Sequence, residues 1–304
     1  MKGARVLELI TYDVFTDTPF LGNPLAIIPD ADGLSTAQMQ VLAQELNLSE
    51  TIFVLRPDTP AHRAKVRIFF PKAEIPFAGH PTIGCAIHLS GLVNMAGDGA
   101  VEMVLEENAG PVPVSVRKVD GRVSAEFTAP VLPEQLGEIP DIGLTARALG
   151  LDPGDISTPV VAAPEVWQAG PDYLLIPVST RDALARARPA GADWDRLTER
   201  AGTISAWLFV DDGAQHFRAR MFSPAGGTPE DPATGSAVVT FAGLLAHHGY
   251  CSAQGDTRIR VTQGVEMGRR SEIGARLVMR GGKLAAVRIG GSAVHMSTGR
   301  IRIP

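Results

Sequence analysis

The chain of 304 residues runs through the same order of motifs twice. Ser49-Glu50-Thr51-Ile52-Phe53-Val54 resembles Ser205-Ala206-Trp207-Leu208-Phe209-Val210 at an offset of 156. Lys65-Val66-Arg67-Ile68-Phe69-Phe70-Pro71 resembles Arg218-Ala219-Arg220-Met221-Phe222-Ser223-Pro224 at an offset of 153. His80-Pro81-Thr82-Ile83-Gly84-Cys85-Ala86 resembles Asp231-Pro232-Ala233-Thr234-Gly235-Ser236-Ala237 at an offset of 151. Nine of these 20 positions are identical, and the offsets sit close to half the chain, so the reading is two similar domains in tandem. Length points the same way, at roughly 150 residues per domain.

Local patterns agree between the halves. Ser35 to Asn47 reads as a helix, with Ser35 and Gln38 forming a capping box and Met39, Leu42, Ala43 and Leu46 on one face. A strand follows at residues 51–55. In the second half a shorter helix, 193–200, precedes a strand at 207–210. Each half then continues with a strand, 65–70 or 218–222, a Gly/Pro loop and a helix, 82–89 or 233–247. The fold class expected is α+β, with two pseudo-symmetric domains spanning 1–125 and 126–304. The boundary falls between a strand over 117–127 and the Pro-punctuated stretch Pro130–Pro140. Residues 281–304 read as turn-linked strands, with tight turns at Gly281-Gly282 and Gly290-Gly291, and the last strand is free to return to the first domain.

Composition removes several classes. Apolar residues make up 45% and charged residues 20%, which argues against a disordered chain. Net charge is -5 with no Lys/Arg run, so nucleic acid is not an expected partner. The apolar run 237–246 is about half the length that spans a bilayer, and Glu8 interrupts the N-terminal apolar run, so neither membrane nor secretion is expected. Two cysteines, Cys85 and Cys251, make no disulfide framework and fit a reducing, cytoplasmic setting. The seven histidines show no metal-ligand spacing, and no Walker or dinucleotide fingerprint occurs.

The chemistry-bearing residues gather at the two loop-to-helix junctions. Pro81 and Pro232 suit a first helical position, which puts His80 and Asp231 near the N-caps. Gly84 and Gly235 permit close backbone approach. Helix starts present free N–H groups and partial positive charge, which suits a carboxylate substrate. The junctions are expected to face each other across a cleft. Glu50 matches Ala206 in the repeat, and His80 matches Asp231, so one asymmetric site would draw different residues from each half. A carboxyl group in a partly dry cleft has a raised pKa and can carry a proton between carbons. The plain alternatives are a solvated Glu50 at a strand end and an Asp231 that only caps a helix. Cys85, opposite Ser236 in the repeat, reads as a small buried helix residue.

These residues carry a family likeness. Asp13-Val14-Phe15-Thr16-Asp17 with Gly22-Asn23-Pro24, Asn47-Leu48-Ser49-Glu50-Thr51, and Phe77-Ala78-Gly79-His80-Pro81-Thr82 resemble the PhzF-like phenazine-biosynthesis isomerases. So do Glu230-Asp231-Pro232-Ala233-Thr234-Gly235-Ser236-Ala237 and Gln263-Gly264-Val265-Glu266-Met267-Gly268-Arg269. Arg270 stands where many relatives have Pro. The resemblance implies the diaminopimelate-epimerase-like fold, each domain a curved sheet around a central helix, and a cofactor-free, metal-free isomerase that works as a homodimer. It implies Glu50 as general acid/base, with His80 and Asp231 in the catalytic group. It also implies substrate contacts from Ser236, Gly235, Gly79 and Asn23. The implied substrate is small, cyclic and carboxylate-bearing, like trans-2,3-dihydro-3-hydroxyanthranilate. The related epimerases use a cysteine pair at the helix starts, and this chain has none there. Two alternatives stay open: an amino-acid racemase using Glu50 with Asp231 or His80, and a carboxylate-binding protein without catalysis.

Overall fold

A computed structural model describes residues 5–139, 141–159 and 161–304. Met1–Ala4 and Pro140, which enter the N-terminal and boundary readings above, lie outside the described residues. The chain divides into two units, Met1–Pro130 with Gly290–Pro304, and Val131–Ile289.

In the first unit, strand Asn23–Ile28 pairs in parallel with Glu50–Leu55, which pairs antiparallel with Ala64–Phe70. Ala64–Phe70 pairs antiparallel with Ala73–Ile75 on one run and in parallel with Gly99–Glu107. Gly99–Glu107 forms a hairpin with Gly110–Val119. The second unit repeats every step. Asp172–Pro177 pairs in parallel with Ala206–Asp211, which pairs antiparallel with His216–Ser223. That strand meets Thr228–Asp231 antiparallel and Gly255–Gln263 in parallel, and Gly255–Gln263 pairs with Ser271–Arg280.

Each unit has one helix buried nearly all round: Gly79–Ser90, whose residues 79–87 are all buried, and Gly235–His247, buried through 245. A helix that is apolar on every face must be enclosed, here by the strands of its own unit. The peripheral helix Thr36–Leu46 is the amphipathic kind. Ser35 caps it in a reciprocal box with Gln38, and Met39, Leu42 and Ala43 face the core while Leu46 is half-buried. Its second-unit counterparts are Arg181–Arg186 and Gly191–Ala201.

Two local expectations change and one holds. The strand expected over 117–127 is two strands, Gly110–Val119 and Arg122–Thr128, joined by a turn with positive φ at Asp120 and Gly121. Gly281-Gly282 does make a turn. Gly290-Gly291 does not: both lie inside one 20-residue strand, Lys283–Arg302. A Cβ at Gly290 would stand 3.2 Å from the Ala125 carbonyl, so this glycine serves close packing rather than turning. The end of that strand pairs antiparallel with Val6–Val14 in the first unit.

Candidate active site

Glu50 opens strand Glu50–Leu55, directly opposite Leu25 on the parallel neighbour. His80 is the second residue of helix Gly79–Ser90, whose N-cap is Ala78. The two side chains meet, with Glu50 Oε2 3.1 Å from His80 Nδ1. Glu50 is 19% exposed and His80 3%, so the carboxyl group lies at the mouth of the pair and not out in solvent. Asn23 is fully buried and places its side-chain amide 3.4 Å from the same Nδ1. Burial pushes the His80 pKa down to about 3, against the weaker upward pull of the Pro24 carbonyl. The ring is therefore uncharged at neutral pH, and its contact with Glu50 is not an ion pair.

The loop before Asn23 explains its motif. Asp13 is buried and accepts the Phe20 N–H at 2.7 Å, which holds the loop in a tight fold. Gly22 has φ +72°, and a Cβ there would stand 2.3 Å from the Val14 carbonyl, so no other residue fits without moving the backbone.

In the second unit Asp231 ends strand Thr228–Asp231 and is buried. It does not cap the helix. Helix Gly235–His247 begins three residues later than expected from Pro232, with Thr234 at the N-cap. Thr234 donates its hydroxyl to Asp231 Oδ2 at 2.6 Å. Gln263 donates its amide to the Asp231 carbonyl at 2.7 Å and to Thr234 Oγ1 at 2.9 Å. Trp207 Nε1–H donates to Gln263 Oε1 at 3.0 Å, completing the chain. Gly264, with φ +75°, lets the following turn pass the Pro232 carbonyl, 2.6 Å from where a Cβ would be. Ser236 shares a 2.7 Å hydrogen bond with the hydroxyl of Tyr173. The first-turn amides of the helix, including those of Gly235 and Ser236, have no acceptor within the helix.

The geometry corrects the alignment of the halves. Gly79-His80 and Gly235-Ser236 open their helices, so the counterpart of His80 is Ser236 and not Asp231, and Cys85 has no claim to Ser236. Shared Pro and Gly letters had pulled the match five residues out of step. Glu50 shifts by one. Thr51 faces Phe69 and Ala206 faces Phe222, which makes Ser205 the counterpart of Glu50. Ser205 bonds to Ser223 through its hydroxyl at 3.0 Å. Cys85 is fully buried, and burial pushes its thiol pKa up, which leaves it unreactive.

Sequence reasoning missed Tyr173, Thr234 and the anchoring role of Gln263. It also missed a duplicated brace. Arg67 grips Glu74 with two hydrogen bonds, 2.8 and 2.5 Å, and stacks over Phe69. Arg220 grips Glu230 with two, 2.8 and 2.9 Å, and stacks over Phe222. Each brace fixes the short strand leading into a buried helix. The two matched arginines were visible in the repeat, but their glutamates lay outside the compared windows. Among the described residues, no group of three or more His, Cys, Asp or Glu is placed to hold a metal ion, and no helix is long and apolar enough to cross a membrane.

Residues 12–299 match the model of the PhzC-PhzF family, described as phenazine biosynthesis-like proteins. An uncharacterised isomerase from Mesorhizobium japonicum is 43% identical, over 97% of this chain and 98% of that protein. The trans-2,3-dihydro-3-hydroxyanthranilate isomerase of Pseudomonas aeruginosa is 36% identical, over 96% of this chain and 98% of that one. The PhzF-family crystal structure from Bacillus anthracis matches with a TM-score of 0.85 at 24% identity, over 98% of this chain and all of that one, which is a likeness of fold.

Proposed function

The chain belongs to the PhzC-PhzF family of phenazine biosynthesis-like proteins, and from that premise we propose that this isomerase moves one proton on a small, cyclic, carboxylate-bearing substrate, with Glu50 as acid and base. Its fold is the diaminopimelate-epimerase-like one. The observation that carries the reading is the Glu50 carboxyl group resting 3.1 Å from a buried, uncharged His80. A neutral imidazole offers one N–H and one acceptor nitrogen. At Nδ1 it accepts from a protonated Glu50 in one tautomer and donates to the carboxylate in the other. His80 thus serves both states of the cycle without a charge appearing in the pocket. Asn23 Nδ2, at 3.4 Å, donates to Nδ1 in the tautomer in which that nitrogen accepts.

Asp231, Ser236, Gly79 and the free amide of Gly235 take the substrate's polar groups in this reading. Helix N-terminal amides suit its carboxylate, and the Tyr173 hydroxyl holds Ser236 in place. Racemisation is less well supported, since an imidazole with a pKa of about 3 is a weak second base at neutral pH. No step of the shift calls for a cofactor. The matching assembly is a cytoplasmic homodimer, checked by light scattering as twice the chain mass.

The test uses trans-2,3-dihydro-3-hydroxyanthranilate in deuterated water. Deuterium should enter one ring carbon of the product, and Glu50→Gln should slow turnover by about 100-fold to 10,000-fold while leaving binding intact. A Gln variant that turns over at the wild-type rate would remove Glu50 from the role.

A further inference from the structure

Glu107 ends strand Gly99–Glu107 and is 7% exposed, yet it has no cation against it. Its Oε1 lies 2.6 Å from the Thr82 hydroxyl, and its Oε2 has no hydrogen-bond partner. Thr82 sits on the first turn of helix Gly79–Ser90, two residues after His80. The same hydroxyl lies 2.6 Å from the Ala78 carbonyl. A threonine hydroxyl has a single proton. If it goes to the Ala78 carbonyl, which can only accept, then the proton between Thr82 and Glu107 must belong to Glu107. An ionised carboxylate there would meet an oxygen lone pair on one side and an unsatisfied burial on the other.

The second unit supplies an independent comparison. Ala64 faces Leu105 in the first unit, and Phe217 faces Val261 in the second. With Arg67 matched to Arg220, Ala64 corresponds to Phe217, and Glu107 therefore corresponds to Gln263. Gln263 uses an amide, which cannot ionise, to grip the approach to the other buried helix through Asp231 and Thr234. The same strand end reaches a helix start in both units.

We infer that Glu107 is kept as a neutral carboxylic acid that donates to Thr82 and pins the helix turn bearing His80, the task that Gln263 performs with an amide. Its importance for catalysis rests on the isomerase reading, while its protonation does not. Burial pushes the Glu107 carboxyl up to about 8. The other ionisable groups bearing on this spot are the Cys85 thiol, one turn further along the helix, and Arg63. Above that pH the pin carries a charge and the turn loosens.

Infrared spectra of the intact protein at pH 7 should show a protonated-carboxyl band that is absent from Glu107→Gln. In the wild type the band should titrate away near pH 8. Amide exchange at Thr82 should quicken over the same range in the wild type and stay constant in the Gln variant. With trans-2,3-dihydro-3-hydroxyanthranilate, wild-type kcat should fall above pH 8, and the Gln variant should lose that alkaline limb. Glu107→Leu, which keeps bulk without a donor, should lose about 10-fold in kcat, as for one lost hydrogen bond to a positioned group, and Gln should restore most of it. A band with no turnover by any form supports the pin and removes only the isomerase reading. No band difference at pH 7, or a Gln variant that cannot fold, overturns the inference.

Discussion

The two units share their strand pairing, their buried helix and their Arg–Glu brace, yet they hold different chemistry where it counts. At matched positions the first unit has Glu50 and His80, and the second has Ser205 and Ser236. The first unit thus sets a carboxyl group against an uncharged imidazole, and the second carries hydroxyls and the anchored Asp231. The two units thus share what braces a helix start and differ in the side chains that stand at it. The braces differ too. Arg220 is 2% exposed against 20% for Arg67, and its remaining guanidinium nitrogen donates to the carbonyls of Leu184, Ala185 and Ala187 at the end of helix Arg181–Arg186.

The contrast is easiest to break at the matched pair of strand ends. Glu50→Gln should cost 100-fold or more in kcat, whereas Ser205→Ala should change it by less than about threefold, because a serine at that place carries no proton in the reaction. Equal losses at both positions would mean that the chemistry is spread over the repeat. Next come the braces. Arg220→Ala removes a buried guanidinium and leaves the half-buried Glu230 and three carbonyls without their donor, and should lower unfolding stability by about 3 kcal/mol. Arg67→Ala, with both partners partly solvated, should cost about 1 kcal/mol or less beyond lost packing. Urea titration of both variants measures the difference, and similar values would show that the second brace is no more buried in energetic terms than the first.

A third test concerns the state of His80. Its folded pKa lies near 3 and its ordinary value is 6.5, so the unfolded chain binds the extra proton first. Stability should therefore fall as pH drops from 6.5 towards 3, by roughly a few kcal/mol at most, since each pKa unit is worth about 1.4 kcal/mol. His80→Asn should flatten that slope. Ser236, its counterpart, has no such titration, so Ser236→Ala should leave the slope unchanged. A steep limb persisting without His80 would place the acid sensitivity elsewhere.

Much of this architecture was legible from residue order. The capping box of Ser35 and Gln38 announced its helix because both groups act within four residues of each other. The turn at Gly281-Gly282 was equally local. The repeat itself survived in Arg67 and Arg220, and in Phe69 and Phe222, since these pack and pair in the same way in each unit. Motif spelling was sufficient to carry the family.

What only the tertiary structure decided was alignment and charge. Helix starts made Ser236 the counterpart of His80, and strand register, not shared Pro and Gly letters, made Ser205 that of Glu50, because register is set by atoms on neighbouring strands far away in sequence. The 20-residue final strand ran through a Gly-Gly pair that reads as a turn, with the Ala125 carbonyl packed closely against Gly290. The uncharged states of His80 and Glu107 were invisible for the same reason. Ionisation depends on how much water the surrounding chain removes, and that is a sum over residues from every part of the unit.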